Sequence, residues 1–166
     1  MFKTLDQVLQ PDARYEGFVV VEPEGLRRMT IADHHAPIAA LELSVAAPAE
    51  VHTLFERARH VLLYAWFDYE LTPLADLQAL AALELALRQR FSGKGLHSLA
   101  AKAVSEGVFE PMLGILPLPK ALSMMRNHWA HGSGHFGTPG MSLDVLQLCA
   151  DLIGKLYPAS QGKASP

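Results

Sequence analysis

One short stretch, Met125-Arg126-Asn127-His128-Trp129-Ala130-His131-Gly132-Ser133-Gly134, gathers a guanidinium, an amide and two imidazoles. An imidazole gives and takes protons near neutral pH, so the stretch sets a candidate proton-transfer group beside a cation and an amide. Pro117 and Pro119 stand where a helix can begin and Gly132 where one can close, so the spacing predicts a helix over residues 120–131. At about 100° per residue Asn127 and His131 share a face, while Arg126 is turned away from His131 and joins them only through the reach of its side chain. In the last turn His131 would feel the negative end of the helix dipole, which favours the imidazolium.

Helices must carry that stretch, and the remaining sequence supplies them. Val51, Leu54, Phe55, Ala58, Leu62, Ala65, Trp66 and Tyr69 recur at three- and four-residue spacing, which predicts one amphipathic helix from near Pro48 to just before Pro73. From Leu74 to Phe91 apolar residues leave little polar surface, as expected of a central helix. Ser92-Gly93-Lys94-Gly95 breaks it, Leu96 to Val104 predicts a shorter helix, and Glu110 to Pro119 is a proline-containing connection. Ser142 stands as the cap of a last helix that buries Val145, Leu146, Cys149, Leu152, Ile153 and Leu156 and stops at Pro158.

Ahead of these helices, Thr4-Leu5-Asp6-Gln7 has the form of a capping box before a short helix ended by Pro11. Tyr15 to Glu22, with Phe18 to Val21 inside it, and Leu26 to Ile31 suit the strands of a hairpin around Glu22-Pro23-Glu24-Gly25. Residues 32–47 are ambiguous between strand and helix. The expectation is a mainly α protein: an antiparallel bundle of about five helices over residues 48–158, an N-terminal extension over 1–47 with a β-hairpin, and a disordered tail over 159–166.

Other groups that could do chemistry have plainer readings. His128, His131 and His135 suggest zinc, but no cysteine or carboxylate stands nearby to complete a site, so no metal is expected. Asp33-His34-His35 reads as an exposed loop. Glu84 reads as the partner of Arg88 on a wet edge, with Asp76 two turns back; the competing reading is a buried carboxylate that orients a motif side chain across the bundle. Tyr64 and Asp68 lie four apart on one helix face, and Cys149 reads as an inert core thiol. Trp129 and Met125 read as packing groups.

Composition narrows the class. The chain has 166 residues, half of them hydrophobic, with a formal charge of −3 and a single cysteine. That charge disfavours holding nucleic acid by bulk electrostatics, so any phosphate contact must be local. No apolar run predicts a membrane span, the opening Met1-Phe2-Lys3-Thr4-Leu5-Asp6 is unlike a secretory leader, and a lone cysteine suits a reducing compartment; a cytoplasmic protein is expected.

Three segments together carry a resemblance: Ala58-Arg59-His60-Val61-Leu62-Leu63-Tyr64-Ala65-Trp66-Phe67-Asp68-Tyr69-Glu70, then Leu83-Glu84-Leu85-Ala86-Leu87-Arg88, then Arg126-Asn127-x-x-x-His131-Gly132. Over roughly residues 48–157 the chain resembles the HEPN family of prokaryotic helical domains, whose motif is an arginine, commonly followed by a polar residue, with a histidine four to six residues on. The resemblance implies a metal-independent endoribonuclease of a toxin or defence system, without cofactor. It further implies that RNA is cut at a composite site in a homodimer, with Arg126, Asn127 and His131 as catalytic residues and an antitoxin or nucleotidyltransferase-like protein as partner. Catalytically silent relatives imply the alternative, a dimerisation module that binds a nucleotide or a protein.

Overall fold

The computed structural model describes residues 3–130 and 137–159. Residues 132–136, which belong to the expected glycine-rich loop, lie outside them, as do His131 and all but the first residue of the expected tail, 159–166. The chain is a mainly helical bundle with a small N-terminal hairpin.

The hairpin pairs β1 (Val19–Glu22) with β2 (Gly25–Arg28) antiparallel, Val19 opposite Arg28 and Glu22 opposite Gly25. Gly25 has φ 139°, a value that a side chain would make costly. An isolated hairpin is marginal in water, and this one is fastened. Arg27 bridges Glu22 at 2.6 Å and grips both oxygens of Asp33 at 2.6 and 2.7 Å. Beside it, Tyr15, Trp66 and Tyr69 form an aromatic cluster with Phe18, Met29 and Phe67. The Asp12 amide donates to the Trp66 carbonyl at 2.9 Å, so the N-terminal extension is docked on the helical body.

The fold departs from several sequence expectations. Residues 5–9 form turns and no helix, because the Thr4 hydroxyl is spent on Asp6 at 2.6 Å and does not cap a following amide. Residues 32–39 are helical: α1 (Ile31–Ala39) starts at a capping box between Thr30 and Asp33. Asp33-His34-His35 is therefore not an exposed loop. Asp33 is committed to Arg27 and Thr30, and His34 is buried with Nε2 2.8 Å from the Leu62 carbonyl oxygen.

The long helix expected up to Pro73 ends sooner. α2 runs over Ala49–Tyr64 and gives way to turns and a 3-10 segment, Tyr69–Leu71, whose cap is Asp68. Trp66 and Tyr69 fit the apolar period because they are buried, but the burial is in the aromatic cluster and not along the α2 stripe. Tyr64 and Asp68 consequently share no helix face.

α3 (Thr72–Arg90), with Pro73 in its first turn, is the central helix and contacts α2, α4 (Leu96–Ser105), α5 (Leu118–Ala130) and α6 (Pro139–Leu156). Ala75, Ala79, Leu80, Leu83, Ala86 and Leu87 are almost fully buried along one broad face, while Leu74, Ala81 and Arg88 on the other side are exposed. Between α4 and α5 the connection folds into a second short ladder, β3 (Met112–Leu113) against β4 (Leu116–Pro117). α6 is capped by Thr138, whose hydroxyl accepts from the Met141 amide at 3.3 Å, because Pro139 fits the first helical position behind it. Ser142, expected as the cap, lies a turn inside and is buried.

Candidate functional site

α5 exists for the reasons legible in its sequence: Pro119 in the first turn, then a stripe of Leu118, Ala121, Leu122, Met125 and Trp129 that packs on the core. The other side is left to solvent and carries the motif. Arg126 keeps 51 % of its side chain exposed, and Asn127 is exposed. His131 follows Ala130 in the chain but lies outside the described residues, so of the three expected catalytic residues the structure describes two, chain neighbours on the exposed side of α5.

Arg126 reaches back toward α3. Its Nε stands 3.8 Å from Oε2 of Glu84, whose other oxygen, Oε1, accepts from Arg88 Nη2 at 2.5 Å. Both readings of Glu84 thus meet in one carboxylate, which is buried, paired one turn along its own helix and directed at the motif arginine across the bundle. A buried carboxylate is stable only with cations and donors around it. The pairing with Arg88 supplies that, and the long contact to Arg126 leaves the guanidinium room for a second anion.

Asp76 does not join this array. It is almost fully buried, accepts a hydrogen bond from Ser142 Oγ at 3.0 Å, and its Oδ1 has no hydrogen-bond partner among the described residues. Burial pushes its carboxyl up to about 7, against the opposing effect of the Ser142 bond. Cys149 is fully buried, with a thiol pushed far up by burial and by the nearby Asp76, in keeping with an inert core thiol. Trp129 and Met125 are half-buried against the core as expected, and His128 lies edge-on to the Trp129 ring at 4.6 Å between centroids.

On the far side of Arg126 is a cleft of about 250 Å³ between α4 and α5. Ser123, Arg126 and Asn127 line it from α5, and Lys94, His97 and Ser98 from the start of α4. In the sequence this part of α4 reads only as the resumption of helix after a break. The signal that marks it is Gly93-Lys94-Gly95: Gly95 has φ 77°, so the chain turns there through a conformation that favours glycine, and Lys94 stands inside the turn.

Compared with family models, with curated proteins and with solved structures, the chain matches none. What the site can do therefore rests on its own chemistry.

A second cavity, of about 700 Å³, lies where the N-terminal segment meets the α2–α3 corner and is lined by Leu9, Asp12, Arg14, Tyr64, Phe67 and Glu70 among others. Its main polar pair is occupied: Arg14 holds Asp12 by two bonds of 2.8 Å, keeping that carboxyl well below the usual range, and Asp12 also accepts from the Tyr69 amide at 3.1 Å. That arrangement fastens chain segments to one another. Among the described residues no three histidine, cysteine or carboxylate side chains come together as metal ligands, and no helix is long and apolar enough to cross a membrane.

Proposed function

We propose that this chain is a metal-independent endoribonuclease of HEPN type, acting as a toxin or defence effector through Arg126, Asn127 and His131. The observation that carries the reading is the display of Arg126 on the solvent side of α5, half-exposed, beside Asn127 and backed by the buried Glu84 carboxylate. An arginine in that setting is oriented from behind while its forked donors remain open to a phosphate.

The reaction follows from these residue types. A base removes the proton of an RNA 2'-hydroxyl, the oxygen attacks the adjacent phosphorus, and the bond to the 5'-oxygen breaks. A cyclic 2',3'-phosphate remains on one fragment, and an acid protonates the 5'-oxygen of the other. Arg126 neutralises the crowded phosphate oxygens, Asn127 orients the imidazole or the phosphate, and His131 moves protons. One chain supplies one histidine of the motif. A two-fold dimer with facing motif helices supplies two, one as base and one as acid.

The test is cleavage of RNA by purified protein in EDTA. Arg126→Ala and His131→Ala are each expected to lower the rate at least about 100-fold, the lower end of what one charge-stabilising donor or one proton-transfer group contributes. Intact RNA, or full activity in the His131→Ala chain, would sink the mechanism. The net charge of −3 supports a second reading, a dimerising module that binds a nucleotide or protein without cutting. Bacterial expression separates the two, since only the enzyme predicts growth arrest that His131→Ala relieves.

A further inference from the structure

The cleft between α4 and α5 combines side chains of one chemical kind. Lys94, His97 and Ser98 come from one side and Arg126 and Asn127 from the other, and among the described residues no carboxylate lines it. In a chain with 17 acidic and 14 basic residues, an acid-free cleft holding a lysine and an arginine stands against the overall balance. The side chains of Lys94, His97, Ser98 and Asn127 donate to no group among the described residues, and Ser123 spends its proton on the Pro119 carbonyl at 3.0 Å. Among the described residues the donors of Lys94, His97, Ser98 and Asn127 are thus uncommitted, and with the Arg126 guanidinium they border one space from two elements, as an anion requires. Among the described residues no Phe, Tyr or Trp lines the cleft, so none of them gives a base an aromatic platform to stack on.

We infer that the α4–α5 cleft is a phosphate-binding site, in which Lys94, His97 and Ser98 hold a backbone phosphate of single-stranded RNA next to the one gripped by Arg126. The site rests on the reading of Arg126 as a phosphate ligand and adds what that reading lacks, a means for an acidic protein to retain its substrate. Phosphates along one strand recur every few ångströms, and a second contact on the same chain turns one weak ion pair into a tracked backbone. Its recognition is independent of base identity. A free mononucleotide carries the same phosphate chemistry, and chain length distinguishes the two sources.

The experiment titrates the isotopically labelled full chain with inorganic phosphate, with AMP and with a 2'-O-methyl pentaribonucleotide, which cannot be cut by 2'-hydroxyl attack. Amide shifts at residues 94–98, 126 and 127 are expected with all three, with affinity at least about tenfold higher for the pentanucleotide. The Lys94→Ala/His97→Ala chain, checked for an unchanged circular dichroism spectrum, should lose about tenfold in pentanucleotide affinity and show a shallower salt dependence. AMP bound as tightly as the pentanucleotide would overturn the backbone assignment in favour of a nucleotide. Absence of shifts at the cleft with every probe, or unchanged affinity in the double variant, would overturn the site altogether. The cleft can fail alone, if RNA is cut in a His131-dependent way while the double variant binds normally. The ribonuclease reading can fail alone, if the cleft binds the pentanucleotide and unmodified RNA stays whole.

Discussion

Asp76 shows how a single side chain changes meaning between sequence and structure. In the sequence it is one more acidic residue near Glu84 and Arg88; in the fold it is buried between α3 and α6, where it accepts a hydrogen bond from the Ser142 hydroxyl. Its carboxyl, raised to about 7, stays protonated in the folded chain at pH values where the unfolded chain has released the proton. The stability that this proton confers is fully present below the ordinary value of 3.8 and is lost as pH rises through about 7. A displacement of that size corresponds to a loss on the order of a few kcal/mol. Urea denaturation at pH 5 and pH 8 should therefore find the parent weaker at pH 8 and Asp76→Asn nearly level between the two. Equal pH dependence in both would refute the assignment.

At the scale of elements, the apolar period predicts where helices run and errs where they stop. α3, α4 and α5 lie where the sequence places them because their periodic residues face a common core. The end of α2 is hidden by Trp66 and Tyr69, which keep the helical period while serving the aromatic cluster. The start of α6 lies a turn ahead of the expected cap Ser142, because Pro139 fits the first turn and the Thr138 hydroxyl accepts from the Met141 amide. Thr138→Ala is accordingly expected to cost about 1 kcal/mol of stability, the usual value of a lost N-cap. A chemical denaturation midpoint unchanged by that substitution would show that the cap contributes nothing.

For the whole molecule, the docked N-terminal extension and the shared-site reading make a joint demand. The extension is tied to the α2–α3 corner through Asp12, Tyr15 and Trp66, whereas the motif helix α5 presents Arg126 and Asn127 outward. If two copies join through the motif helices, sedimentation should give twice the chain mass of 18.1 kDa. Mixing the parent with an excess of His131→Ala chains, under conditions where subunits exchange, should then reduce activity per parent chain, because a mixed dimer holds a single motif histidine. Activity per parent chain unaffected by the mixture would mean that the site is not shared.

The helical class, the hairpin with its turn, the burial of Cys149 and the pairing of Glu84 with Arg88 are legible in the order of residues. They depend on local periodicity, turn chemistry and neighbours within a few positions. The burial of His34 against α2, the meeting of Asp76 with Ser142, the approach of Arg126 to Glu84 and the cleft that Lys94 and His97 share with Asn127 are not legible there. In each of those cases the partners come from different helices or their flanking turns. Which faces meet is settled by the simultaneous packing of the bundle around α3, and no spacing along the chain encodes that.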